Sequence, residues 1–287
     1  MKTNNEWKDF EVLATGNGEK LERWGEVTLL RPDPQIIWRS KKPLNGGNAS
    51  ARYERSADGG GRWQNFKKMP ESWKVSWRNL VFTVKPMGFK HTGLFPEQAV
   101  NWDIIIDLIR DAKRDVSVLN LFAYTGGATM AALSAGATVC HVDSAKQMVE
   151  RAKENIIQSN LPIEKARFIV DDCSKFVKRE ISRGKRYDAI IMDPPSFGRG
   201  INGEVWKLEN DIAEFLKLCS QVLSNKPLFV LINSYTTGLQ PVVLENLLTL
   251  ALEEHDGKAE SYEVCLPTRE GIVLPCGASG LWKGEKQ

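Results

Sequence analysis

The sequence predicts an α/β protein: an open, mostly parallel sheet covered by helices on both sides, preceded by a small β-rich module. Three observations predict it. Beyond about residue 100, apolar strand-like runs alternate with helical repeats. Four successive strand ends carry, in order, glycines, an acid, an acid pair and an acid. The first 88 residues instead show short alternating segments broken by turn residues.

In the front module, strands are expected over Phe10 to Ala14 before Gly16-Asn17-Gly18, and over Glu26 to Leu30 before Arg31-Pro32-Asp33-Pro34. Ser72 to Trp77 and Leu80 to Pro86 complete the set, while Asn45-Gly46-Gly47-Asn48 and Gly59-Gly60-Gly61 read as loops. A boundary near 88 gives two domains, 1–88 and 89–287. The second opens with a helix marked by Trp102, Ile105, Ile106, Leu108 and Ile109, followed by a strand over Val116 to Phe122 and a small-residue helix over Ala128 to Ala135. Strands are then expected at Thr138 to Val142, Ala166 to Val170, Tyr187 to Met192 and Leu228 to Asn233. Helices are expected at Ala145 to Ile157, Ile212 to Leu223 and Pro241 to Leu252, and the chain closes with strands Ser261 to Leu266 and Gly277 to Trp282.

Composition narrows the classes. At 287 residues and 42% hydrophobic, the chain can bury one large core with a smaller module. No apolar run approaches the roughly 20 residues that span a bilayer, and the first residues lack a secretory signal, so a cytoplasmic protein is expected. Five scattered cysteines without a C-x-x-C pair argue against a disulfide framework and a zinc site; no metal is expected. Residues 1–100 hold 17 Lys+Arg against 11 Asp+Glu, while 101–287 hold 22 against 25, so the basic excess belongs to the front. Interspersed aromatics make that region suitable for phosphates and stacked bases, although a small β domain needs the same residues for its core and surface.

The most informative segment is Asp193-Pro194-Pro195-Ser196-Phe197, which closes the apolar strand Ala189 to Met192. Two prolines remove two backbone donors, so the loop cannot continue as helix or ladder and its carbonyls stay free to accept. An acid, acceptor carbonyls and an aromatic can grip a flat, donor-bearing group such as a nucleobase; the segment also reads as an ordinary proline turn. Its neighbours decide between the two. The first strand of the domain ends in Phe122-Ala123-Tyr124-Thr125-Gly126-Gly127, where adjacent glycines let a ligand lie against the backbone. Asp143 ends the next strand, 17 positions after Gly126, where an acid can accept both hydroxyls of a ribose. Asp171-Asp172 ends the third, with Asp172 favoured for an adenine amino group and Asp171 as the cap of the following helix. The dinucleotide fingerprint G-x-G-x-x-G is absent, and acids would repel a pyrophosphate. A cofactor with ribose and adenine, no phosphate and a cationic centre fits: S-adenosylmethionine.

These runs resemble the class I S-adenosylmethionine-dependent methyltransferases and, within them, the bacterial group of 23S ribosomal RNA large-subunit methyltransferases. The likeness extends to Lys90-His91-Thr92-Gly93-Leu94-Phe95-Pro96-Glu97-Gln98, similar to the family's Thr-Gly-Phe-Phe-x-Asp-Gln segment, and covers about residues 85 to 283. It implies a Rossmann-like seven-stranded methyltransferase sheet whose last strand is antiparallel. It also implies cofactor contacts through Phe122, Thr125, Gly126, Asp143, Asp172 and Asp193, with Thr92, Phe95 and Gln98 covering the cofactor.

For an exocyclic amine, Asp193 and the Pro194 carbonyl would orient the lone pair while Phe197 stacks on the base, so these three are the candidate catalytic residues. Carbon-5 chemistry on cytosine needs a cysteine, which the family's C5 members place after the fifth strand. Here that stretch reads Ile232-Asn233-Ser234-Tyr235-Thr236, and neither Cys219 on an apolar helix face nor Cys276 in a Pro-Cys-Gly turn replaces it. His141 reads as a core or cap histidine, and His91 as a support for the covering segment. Lys90, Arg199 and Lys207 read as solvated cations within reach of phosphates. The expected activity is methylation of an RNA base at nitrogen, and the resemblance implies that the RNA is rRNA. A methyltransferase acting on a protein or small molecule and an inactive RNA-binding module are the alternatives.

Overall fold

The computed structural model describes residues 1–287 apart from 42, 45–48, 57–59, 200–204, 237 and 286–287, with the backbone alone at Phe89 and Arg199. The expected loop at Asn45-Gly46-Gly47-Asn48, Gly59 of the glycine triplet and the Arg199 side chain lie outside the described residues. Two compact units emerge. One comprises Lys2–Ala99 with Cys265–Cys276, the other Val100–Val264 with Gly277–Gln287 and Met1. A division along the sequence at 88 thus leaves out the tip of the closing hairpin, which belongs with the amino-terminal strands because Val12 bridges Thr268 and Glu270 accepts from the Thr15 backbone at 2.8 Å.

In the amino-terminal unit, after the two-residue β1 (Lys2–Thr3), a five-stranded sheet runs β2 (Phe10–Gly16), β3 (Glu19–Trp24), β4 (Val27–Pro32), β5 (Ala51–Arg55) and β6 (Gly61–Asn65) in spatial order. Its pairs are antiparallel except β4 with β5. β7 (Trp73–Trp77) and β8 (Leu80–Val84) form a separate hairpin with Val75, Trp77, Leu80, Phe82 and Val84 buried in strict alternation. Four strands, β1, β3, β5 and β6, escape sequence reading. β3 does so because its inward position is Glu22, a fully buried carboxylate. Arg31 holds it through Nε and Nη2, at 2.6 and 2.9 Å, with the Trp24 indole at 3.2 Å. Burial pushes the Glu22 carboxyl up, but Arg31 and Lys20 outweigh it and hold the group below the ordinary range. Lys90, expected at the surface, is partly buried and donates to the Pro32 carbonyl at 2.9 Å; burial first, then Lys20, brings it down to about 8.

The second unit alternates strand and helix. After α1 (Ala99–Asp111) come β9 (Ser117–Leu121), α2 (Gly127–Ser134), β10 (Thr138–Asp143), α3 (Lys146–Gln158), β11 (Ala166–Val170), α4 (Cys173–Ser182) and β12 (Ala189–Met192). A short hairpin, β13 (Phe197–Arg199) with β14 (Val205–Lys207), leads into α5 (Leu208–Ser220). β15 (Phe229–Ser234), α6 (Pro241–Ala251), β16 (Gly257–Pro267) and β17 (Val273–Gly284) follow. Seven strands of the large sheet lie in the order β16-β17-β15-β12-β9-β10-β11, parallel from β15 through β11, with the last strand, β17, antiparallel to β15. The predicted seven-stranded α/β sheet and its antiparallel closing strand are therefore present. α4 and the β13–β14 hairpin were not legible beforehand. α4 is anchored by Cys173, Phe176, Val177 and a buried Glu180 that accepts from the Tyr187 hydroxyl at 2.6 Å and Arg183 at 3.0 Å, so a carboxylate interrupts its inner face.

Glu22→Ala strands Arg31 in a buried site. It is expected to cost about 3–5 kcal/mol by urea denaturation, and combining it with Arg31→Met is expected to recover part of that loss.

Candidate functional site

The parallel register brings the site together. Leu121 pairs with both Val142 and Met192, Met192 pairs with Ile232, and Asp143 pairs with Val170. The residues that follow these strands therefore emerge along one edge of the sheet, where open α/β sheets bind ligands.

At the end of β9 the chain turns through three left-handed residues, Phe122 (φ 53), Tyr124 (φ 50) and Gly126 (φ 88), before entering α2. Two of them carry side chains, an uncommon and costly state that the surroundings must hold in place. Asp143 does much of this: its Oδ2 accepts from the Tyr124 N–H at 2.8 Å and its Oδ1 from the Ala145 N–H at 2.8 Å. Each oxygen has further lone pairs, and burial pushes the carboxyl up while the two N–H groups pull it back. A Cβ on Gly126 would sit 2.9 Å from that of Ala152, and one on Gly127 would meet Trp102 at 2.5 Å. These glycines let the turn settle against α3 and α1. Underneath, Asn155 donates to the Thr125 carbonyl at 3.0 Å, and the Phe122 N–H points to the Cys173 Sγ at 3.3 Å.

At the end of β11 the cap assignment reverses the expected one. Asp172 is the N-cap of α4, accepting from the Lys175 N–H at 2.8 Å, while Asp171 accepts from the Asp172 N–H and pairs with Arg179. The geometry favours Asp172 because its extended backbone (φ −66, ψ 129) aims the carboxylate at the first helical turn. Asp172 remains exposed at this edge.

At the end of β12, Asp193 is half-buried and its Oδ1 accepts from Asn233 Nδ2 at 3.0 Å; Pro194 is buried and Phe197 is 53% exposed. The expectation that the loop carbonyls stay free holds only in part. The Trp206 indole donates to the Pro195 carbonyl at 2.6 Å and the Leu208 N–H to Ser196 at 3.1 Å. From Phe197 the chain does enter a ladder, with β14, because the prolines have by then been passed. Trp206, a residue sequence reading did not single out, packs against Phe122 at 5.5 Å and Phe215 at 5.6 Å, tying the hairpin to the glycine turn. Its signal in the sequence was an aromatic two residues before a helix, which is too common to notice.

The chemistry of this row fits S-adenosylmethionine: a carboxylate of the kind that binds a diol, an exposed acid beyond it, a glycine-bearing turn, and acids favourable to a sulfonium. A family model described as S-adenosylmethionine-dependent methyltransferase matches residues 31–249. The chain belongs to this family. The crystal structure of the SAM-dependent methyltransferase from Agrobacterium tumefaciens shares 34% identity with this methyltransferase at a TM-score of 0.92, covering 98% of this chain and 92% of that one. A methyltransferase structure complexed with SAH is 18% identical at a TM-score of 0.70, covering 97% of this chain and 76% of that one; this likeness shows the fold alone. Among curated relatives, Ribosomal RNA large subunit methyltransferase I of Enterobacter sp. (strain 638) is 38% identical over 89 residues, 31% of this chain and 22% of that protein. The protein of that name from Escherichia coli O139:H28 is 40% identical over 81 residues, 28% of this chain and 20% of its own. The methyltransferase thus aligns with about a fifth of the length of these relatives.

Thr92, Phe95 and Gln98 belong to the amino-terminal unit. There Thr92 is buried with its hydroxyl on the Leu94 carbonyl at 3.3 Å, His91 meets the Phe95 ring edge-on at 5.5 Å, and the Gln98 N–H donates to Phe95. His91 thus supports this segment as expected. Of the cysteines, Cys173 is the one that structure brings to the glycine turn; it is buried, and burial pushes its thiol far up, so it stays protonated. Cys219 is buried on the inner face of α5.

His141, on β10, is fully buried beneath the glycine turn. Its Nδ1 lies 2.9 Å from the Thr129 hydroxyl, which also accepts from Asn120. Nε2 meets no partner of hydrogen-bonding geometry among the described residues, and the nearby Tyr124 backbone offsets little of its desolvation. Burial, with Lys153 adding to it, pushes the ring down to about 3 from 6.5, so it is neutral in the folded chain. Protonation then favours the unfolded chain: the stability is whole above about pH 6.5 and falls as pH drops from there towards 3. Urea denaturation is expected to show a loss of about 2 kcal/mol between pH 6.5 and 5. In His141→Gln that loss is expected to be smaller by most of this amount.

Proposed function

We propose that this methyltransferase acts on RNA, at an amine nitrogen of a base, through Asp193, Pro194 and Phe197. The observation that carries the reading is the exposed aromatic Phe197 following Asp193 and Pro194 at the sheet edge where open α/β sheets bind ligands. Asp193, whose carboxylate accepts from Asn233 through Oδ1, and the Pro194 carbonyl are acceptors on adjacent residues. A base stacked on Phe197 would present its amine to these two acceptors, which hold the nitrogen lone pair towards the methyl donor. When bound, S-adenosylmethionine supplies an electrophilic methyl group on a cationic sulfur.

Asp143 would hold the ribose hydroxyls, Asp172 the adenine amino group through an exposed carboxylate, and Phe122, Thr125 and Gly126 the remaining surface. Thr92, Phe95 and Gln98 would cover the cofactor. The nitrogen reading gains support where β15 ends, since Ser234 and Tyr235 occupy the stretch in which carbon-5 chemistry would require a thiolate. The RNA reading gains support from the basic excess of residues 1–100, which hold 17 Lys+Arg against 11 Asp+Glu, and from the names of the rRNA-modifying relatives.

Asp143→Ala is expected to weaken S-adenosylmethionine binding by about 2–4 kcal/mol in calorimetry, the worth of one or two charge-assisted hydrogen bonds; unchanged affinity would remove Asp143 from the site. Mass spectrometry of rRNA nucleosides from cells with and without the protein is expected to show one N-methylated base missing from the deletion strain, and to show it still missing when Asp193→Ala is supplied. A missing C-methylated base would refute the nitrogen assignment, and labelling of protein or small molecules alone would refute RNA.

A further inference from the structure

Four polar side chains are buried behind the sheet edge among aliphatic and aromatic groups. Asn233 is 2% exposed, Ser279 0%, Asn101 1% and Tyr262 5%. They come from four different elements, β15, β17, α1 and β16, and the β15–β17 register places Asn233 directly opposite Ser279. Buried polar groups are costly unless their partners are well placed. Here they form one continuous chain that ends on Asp193.

The chain has a direction. Tyr262 Oη donates to Asn101 Oδ1 at 2.8 Å, which leaves Asn101 Nδ2 to donate to Ser279 Oγ at 3.0 Å. With its oxygen accepting from Asn101, the Ser279 hydroxyl turns its single proton to Asn233 Oδ1 at 2.9 Å, closer than the Asn101 carbonyl oxygen at 3.3 Å. Asn233 Nδ2 then donates to Asp193 Oδ1 at 3.0 Å. The phenol fixes the amide orientation of Asn101, and Ser279 that of Asn233, so that each step passes a donor forward. Burial keeps the Tyr262 hydroxyl protonated, well above its ordinary range.

We propose that Tyr262, Asn101, Ser279 and Asn233 are positioning residues for methyl transfer, a one-way donor relay that locks the carboxylate plane of Asp193 and holds it as an acceptor. The inference rests on the reading of Asp193 as the group that receives the substrate amine. A carboxylate held this way selects a base edge that donates. It disfavours a carbonyl edge, which would need Asp193 to carry a proton. The relay extends the specificity element to Tyr262, three residues removed from the carboxylate, in the same way that outer partners orient the groups that touch a ligand.

The test uses the full chain with Tyr262→Phe and Ser279→Ala, each small enough to leave packing intact. In the 15N-labelled protein, the Asn233 side-chain amide resonance, assigned by its loss in Asn233→Ala, is expected to shift in both variants. With large-subunit rRNA from a deletion strain and labelled S-adenosylmethionine, kcat is expected to fall about three- to tenfold, with the KM for rRNA and the affinity for S-adenosylhomocysteine unchanged. An Asn233 resonance unmoved in both variants overturns the inference, as does a rate loss that merely follows a loss of folded protein. If the unaltered chain labels no rRNA, the substrate reading fails, and the resonance arm alone then decides the relay.

Discussion

The constraint on which the rest depends is the parallel pairing of β15, β12, β9, β10 and β11. In a parallel sheet every strand delivers its last residue to the same edge, and every helix returns the chain to the opposite one. Because Leu121, Val142, Met192 and Ile232 are register partners in a row, the glycine turn, Asp143, Asp193 and Asn233 need no further device to meet. The interiors of β9, β12 and β15, buried on both faces, hold the edge rigid. That rigidity is what tolerates two left-handed, side-chain-bearing residues at Phe122 and Tyr124.

Polar groups are buried for different ends in the two units. Glu22 and Arg31 pair through two hydrogen bonds, and the Trp24 indole and the Lys90 carbonyl take up further capacity, in a place of the kind that an apolar pair of similar volume often fills as well. In the methyltransferase unit, buried polar groups instead lead to carboxylates at the sheet edge. Asp143 spends one lone pair per oxygen on backbone N–H groups, and Asp193 closes a hydrogen-bonded chain that begins at Tyr262. The first pattern stabilises a module. The second leaves carboxylates oriented and desolvated at a ligand edge, where their interactions with a cation or an amine are strongest.

Sequence reading succeeded where a residue's role is local. A strand over Ala166–Val170 and a helix beginning at Pro241 were legible from apolar runs and a proline at the first turn. The acids and glycines at strand ends were legible because alternating strands and helices already imply a common edge. β3 and β6 were not legible, since one turns a carboxylate inward and the other is an exposed polar edge strand that exists only through its pairing with β5. The cap at Asp172 rather than Asp171 depends on backbone angles, which two adjacent aspartates do not reveal.

By itself the sequence determined the α/β class, the order of the strands that carry chemistry, and the residue types at their ends, because periodicity and turn chemistry are properties of short segments. Only the tertiary structure decided what lies beside what. It brought Trp206 back onto the Pro195 carbonyl and placed Cys173 under the glycine turn. It joined the tip of the closing hairpin to the amino-terminal strands, and it lined up Asn101, Asn233, Tyr262 and Ser279, up to 178 residues apart, into one hydrogen-bonded chain. The physical reason is that a hydrogen bond forms between atoms about 3 Å apart. Sequence separation says nothing about that distance until the chain has crossed the sheet and returned.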